Sequence, residues 1–145
     1  MSINYIYDTD GTKLGIDPDN KILHVITSSD GYDKKKFSTF LEYLTSFWSL
    51  VESGDDKYFI LLDLSGATAK MMPMEFYTSL IQTMNGMGKS IEKHLHSMCV
   101  LMSNNGLMSG IIKIALKLFD VPRPVKLVTN RNDVQPFFDS NKLDL

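Results

Sequence analysis

Two short, unbroken apolar runs constrain this chain more than any other feature. Lys57–Leu64 (KYFILLDL) and His96–Met102 (HSMCVLM) are bounded by turn-forming residues and are too short for ordinary helices. Such runs suit strands buried on both faces, which is the condition inside a parallel sheet. Parallel neighbours need crossovers, and the segments around the runs carry helical spacing. Phe37, Phe40, Leu41, Leu44, Phe47, Trp48 and Val51 draw one apolar stripe, with Asp33 placed to cap its start and Gly54 its end. The Lys34-Lys35-Lys36 run opposes the helix dipole and reads as a solvated first turn.

Pro73 opens a second helical pattern through Phe76, Leu80, Met84, Met87 and Ile91. Gly86 and Gly88 lie inside it, so the helix bends there or backbone packs closely against it. Leu107–Phe119 predicts a third helix, with Lys113 and Lys117 exposed, and Pro122-Arg123-Pro124 ends it. Val125–Thr129 reads as a short strand, and Asn132 begins a last short helix through Phe137 and Phe138.

The N-terminal segment has a different rhythm. Tyr5–Asp8 and Thr12–Ile16 flank Thr9-Asp10-Gly11, a hairpin signal because Asp-Gly tolerates positive φ. Asp17-Pro18-Asp19-Asn20 supplies a second turn and Lys21–Thr27 a third, β-branched strand. The expectation is one α/β domain over residues 1–145. Its mixed sheet opens with an antiparallel meander and continues α-β-α-β-α-β-α through right-handed crossovers.

Composition narrows the function classes. At 145 residues and 43% hydrophobic, the chain can build a core without a disulfide or metal staple. Fifteen basic and 17 acidic residues give a net charge of −2, which argues against a dedicated nucleic-acid binder. The single cysteine, Cys99, excludes an internal disulfide and fits a reducing compartment. No apolar run approaches the ~20 residues of a membrane span, and MSINYIYDTDG lacks the pattern of a secretion signal, so the expected address is cytoplasmic.

No enzyme or cofactor motif is present. His94-x-His96 offers two potential metal ligands without a third, so neither metal nor cofactor is expected. Cys99, mid-strand between Met98 and Val100, reads as a buried hydrophobe. There is no GxGxxG, phosphate-binding loop or nucleophile elbow, and Asn85-Gly86-Met87-Gly88-Lys89 falls late in a helical pattern. Asp63 stands at the carboxyl end of a buried strand, where open α/β sheets usually hold ligands. The favoured reading is that it caps the following loop, with Asn104 its counterpart after the second run.

At Asp63 the sequence resembles a family. Leu61-Leu62-Asp63-Leu64-Ser65-Gly66-Ala67-Thr68 is similar to the strand and turn of STAS domains (sulfate transporter and anti-sigma-factor antagonist), apolar-apolar-Asp-Leu-Ser-Gly-Val-Thr. The order of elements over about residues 57–140 follows that family too, whereas the N-terminal half with its extra hairpin resembles a looser STAS-like group. The resemblance implies a regulatory domain working by protein contact through this loop and the helix after it. The family's Asp-Ser-Ser-Gly phosphorylation motif falls here on Met71, Met72, Pro73 and Met74, and methionine cannot accept phosphate.

Eight of the nine methionines, all but Met1, lie between Met71 and Met108. Four successive apolar residues at a strand-to-helix turn cannot all face a core, and methionine suits adaptable contact surfaces. The expected contact residues are therefore Ser65, Gly66, Lys70, Met71, Met72, Met74 and Tyr77, meeting a second copy or another protein. The alternative is a carrier of a lipid or small apolar ligand, with Phe40, Phe47, Trp48, Phe76, Phe119 and Phe137 lining a pocket between sheet and helices. An enzyme built around Asp63 and Tyr77 ranks third.

Overall fold

The computed structural model describes residues 3–9, 11–28, 33–66, 74–103, 110, 112–114, 116–118 and 123–142. Six strands form one mixed sheet in sequential order: β1 (Asn4–Asp8), β2 (Thr12–Asp17), β3 (Ile22–Ser28), β4 (Tyr58–Gly66), β5 (Leu95–Met102) and β6 (Val125–Val128). β1 pairs with β2 and β2 with β3 antiparallel, whereas β3–β4, β4–β5 and β5–β6 are parallel. The β2–β3 turn is tied by Asp17, whose carboxylate accepts from Asn20 N and Nδ2, and closed by Lys21 at φ 56°.

Helix α1 (Lys34–Glu52) links β3 to β4, and α2 (Met74–Gly86) with α3 (Lys89–His94) links β4 to β5. The described residues within 110–116 are helical (α4) and lie between β5 and β6. A 3₁₀ turn, Arg131–Asp133, then leads into α5 (Val134–Lys142). Three crossovers that step across the sheet in one direction, with one hand, must lay their helices on one face. The core shows this. Residues of α1, α2, α3 and α4, including Phe40, Trp48, Leu80, Ile91 and Ile112, pack with Leu23, Ile60, Leu62, Met98 and Val100. The other face of the same strands, Ile22, Phe59, Leu61, Cys99, Leu101 and Val128, is covered by Val134 and Phe138 of α5. β4 and β5 are thus buried on both faces, as their unbroken apolar runs require.

α1 starts where the stripe predicts: Asp33 Oδ1 accepts from Lys35 N (2.8 Å) and Lys36 N (3.0 Å). Its end differs. Ser53 is the cap, and the last carbonyls accept from Ser53 N, Gly54 N and Ser53 Oγ, so the turn tightens without a left-handed glycine. The bend expected at the two glycines is a complete break. α2 stops at Gly86, and Gly88 adopts φ 56°, ψ −129° before α3 begins. A Cβ on either glycine would meet nothing within 4 Å, so backbone conformation and not close packing is the reason for glycine at 88. Close approach does govern Gly15, where a Cβ would lie 2.6 Å from Ile3 Cγ2 and 3.2 Å from the Tyr5 ring. The last helix begins later than Asn132, because Asn130 caps a 3₁₀ turn by accepting from Asn132 N. Among the described residues, no helix is long and apolar enough to cross a membrane.

The two glycines are expected to respond with opposite signs. Gly88→Ala must force a side chain into a glycine-only conformation and lowers stability by about 1–3 kcal/mol. Gly86→Ala, exposed at a helical position, raises it by up to about 0.5–1 kcal/mol. Urea unfolding of the two variants checks both.

Candidate functional site

Alternation along β4 sends Ile60, Leu62 and Leu64 toward the crossover helices and Phe59, Leu61 and Asp63 toward α5. Asp63 is therefore a carboxylate on an apolar, half-covered face, and burial obliges it to find partners. Its Oδ1 accepts from Ser65 N (3.0 Å) and Ser65 Oγ (2.6 Å), and its Oδ2 from Arg131 Nη2 (2.7 Å). Burial opposes ionisation of Asp63, but the hydrogen bonds from Ser65 and Arg131 outweigh it and hold the carboxyl below its usual range. The loop-capping role is thus present, with a cation added from 68 residues away. Register explains how Arg131 arrives: Asp63 pairs with Leu101, Leu101 with Val128, and the 3₁₀ turn just beyond Val128 folds back over that row.

His24 lies on the same face. It pairs with Leu61 across β3–β4, while its neighbour Ile26 pairs with Asp63, which sets His24 diagonally from the carboxylate. Only 8% of the residue is exposed, and Nε2 is buried without a hydrogen-bond partner among the described residues. Burial holds the imidazole below its ordinary pKa, with Asp17 and Asp63 pulling it up and Arg131 pushing it further down. The ring is neutral at pH 7. Beside it, Ile22, Leu61, Arg131, Val134, Gln135 and Phe138 enclose with His24 a groove of about 160 Å³ between the sheet and α5.

The expected contact residues divide. Ser65 and Gly66 are exposed at the end of β4. Met74 is the first residue of α2, while Lys70, Met71, Met72 and Asn104 lie outside the described residues. Tyr77 is a correction: it is only 2% exposed, packed among the core residues beneath α2, where burial pushes its hydroxyl up to about 12. The reason is the helical stripe itself, which turns Tyr77, Leu80 and Met84 onto one inward face. Asp63 and Tyr77 consequently sit on opposite faces of the sheet and share no site.

The remaining candidates resolve as packing. His94 Nδ1 pairs with the Asp56 carbonyl at 3.1 Å, and the His96 ring stacks on Phe59 at 4.8 Å. Cys99 is fully buried, and desolvation pushes its thiol up to about 11, which makes it a poor nucleophile. No group of three or more potential ligands for a metal occurs among the described residues. Arg131 and His24 were not singled out by sequence as partners of Asp63. A charge inside an apolar run signals that a partner must exist, but only the register says which. No family model, curated protein or solved structure matches this chain.

Two outcomes follow for this cluster. Arg131→Gln strips Asp63 Oδ2 of a charged donor and is expected to cost about 1–3 kcal/mol at pH 7. Because the folded pKa of Asp63 is lowered, that cost is present in full above about pH 4 and disappears as pH falls through the lowered value. For His24, also lowered, the unfolded chain takes up a proton below about pH 6.5 that the folded chain resists, so stability falls as pH drops from there. His24→Gln should flatten that part of the stability–pH curve. Urea midpoints measured across the range check both.

Proposed function

We propose that the protein is a cytoplasmic, non-enzymatic regulatory domain of the STAS-like kind, acting by protein–protein contact through the strand-to-helix segment 65–76. The observation that carries this reading is the anchoring of Ser65. Its N–H and hydroxyl are both held by Asp63, which Arg131 holds in turn, yet Ser65 and Gly66 face solvent. A contact loop that leaves the sheet from a fixed point loses less entropy on docking than a free one. The element order from β4 to α5 supports the resemblance, and Met72 in the phosphoacceptor position makes the contact one that phosphorylation there does not switch. Tyr77 drops out of the contact set, leaving Ser65, Gly66, Lys70, Met71, Met72 and Met74.

A second reading, carriage of a small apolar ligand between sheet and helices, is favoured by the groove beneath α5. Of the aromatic residues that first suggested a pocket, Phe137 packs on this side of the sheet, Phe119 and the Phe76 side chain lie outside what is described, and the other three are on the opposite face. Phe40, Phe47 and Trp48 fill the helix-side core, where a void of about 10 Å³ beside Leu62, Leu64 and Leu80 has no room for a ligand. The groove of about 160 Å³ suits a molecule of roughly benzene size and not a lipid.

Native mass spectrometry and sedimentation of the wild type and of a Met72→Ser/Met74→Ser variant test the contact reading. The expected result is a complex, with itself or another protein, that the variant weakens by about tenfold or more, or ~1.4 kcal/mol. A complex of unchanged affinity in the variant, or a wild type that binds neither itself nor another protein, overturns it.

A further inference from the structure

Helix α4 is apolar on two faces, and the described residues cover only one of them. Ile112 is buried and Leu116 half-buried against the helix-side core. Two positions along a helix turn the side chain by about 200°, so Ile114 and Leu118 stand on the opposite side. They are 56% and 46% exposed and one turn apart, a short apolar ridge on α4 and the turn that closes it. Helical phase carries into that turn, because Lys117 N donates to the carbonyls of both Lys113 and Ile114. Its end is fixed by Asn85 of α2, whose Nδ2 donates to the Leu118 carbonyl at 2.6 Å. Lys113 and Lys117, both exposed, flank the ridge at the same one-turn spacing. A lysine in the last turn also suits the helix dipole, but the dipole gives no reason for Ile114 and Leu118 to face water.

Charge points to the occupant. From Lys93 to Asn132 the sequence holds six basic residues and one acid, Asp120, in a chain whose net charge is −2. Two of the six belong to the α5 side of the sheet: Lys126 is in register with Cys99, and Arg131 is bound to Asp63. Lys113, Lys117 and Arg123 remain on the helix side, where Arg123 Nε donates to the Glu92 carbonyl at 2.9 Å. The elements beside them do not cancel this charge. α2 carries none from Tyr77 to Gly86, and on α3 Glu92 is offset by Lys93. A convex ridge one turn long gives a partner helix no groove to enter. A lipid surface asks only for apolar side chains that can insert and for cations at headgroup depth.

We infer that α4 docks this protein on an anionic membrane surface. Ile114 and Leu118 enter the acyl boundary, and Lys113, Lys117 and Arg123 meet the lipid phosphates. The attachment is peripheral and reversible, because two apolar side chains bury far less surface than a spanning helix. Leu118 meets the last turn of α2, the end away from the 65–76 segment, so the two contacts do not compete.

Vesicle flotation tests this with phosphatidylcholine alone and with phosphatidylcholine containing roughly one third phosphatidylserine. The wild type is expected to bind the anionic vesicles at least ~10-fold more tightly, and to be released as salt rises from about 0.05 to about 0.5 M. Ile114→Ser/Leu118→Ser and Lys113→Gln/Lys117→Gln should each weaken that binding by about tenfold or more. Leu50→Ser, which removes an apolar residue 72% exposed on α1, should leave it unchanged. Amide exchange in the wild type answers independently of the variants: it should slow several-fold over 112–118 on anionic vesicles and stay unchanged over α1. No binding, equal binding to both kinds of vesicle, or full binding by both double variants overturns the proposal. If the variants instead break a complex that forms without lipid, the ridge is a protein contact and the proposal is overturned as well.

Discussion

Everything in this fold hangs on burying β4 and β5 from both sides. A strand with apolar residues on alternate faces needs one cover. A strand apolar on both needs two, and the chain must supply them from the same short crossovers that connect parallel neighbours. Three crossovers stepping one way put α1, α2, α3 and α4 on a single face, where Phe40, Trp48, Leu80 and Ile91 complete the larger core. The opposite face is left to whatever follows the last strand, and α5 fills that role with Val134 and Phe138.

This imbalance explains where the chemistry collects. The helix side is closed by four elements and is packed nearly solid. Among the described residues, the other side has one short helix over a six-stranded sheet, so polar groups and a groove survive there. The Asp63–Arg131 bond at 2.7 Å is the strap across that thin side: it joins the end of β4 to the turn that launches α5, and Asp63 passes the constraint to Ser65. One carboxylate thereby fixes both the roof of the groove and the departure point of the following loop. The absence of a reversal in strand order means that no crevice opens between diverging crossovers, the usual ligand position in open α/β sheets. The groove beside His24 lies instead between the sheet and α5.

Of the site, Asp63 was legible because its surroundings contradict it: a single acid in KYFILLDL is costly unless paired. The capping role of Asp63 was legible as well, but its local partner Ser65 reads in the sequence only as a contact residue, and the structure supplies the pairing. Arg131 and His24 were not legible, because each reaches the site through strand register and neither carries a local pattern. Tyr77 shows the reverse error. Proximity in sequence to an expected loop suggested a surface role, while its own helical phase with Leu80 and Met84 already turned it inward.

Local pattern determined the strands and the α1 stripe with its Asp33 cap, because each depends on interactions within a few residues; at Gly86 and Gly88 it pointed to a bend or a close approach, where the chain breaks the helix outright. The partly parallel sheet followed from two runs that only double-sided burial can satisfy. Tertiary structure alone decided that the described crossover helices share one face, that α5 covers the other, and that Asp63 meets Arg131 while His24 Nε2 finds no hydrogen-bond partner among the described residues. Those outcomes depend on how strands dozens of residues apart align, and no local pattern encodes an alignment that exists only once the sheet has formed.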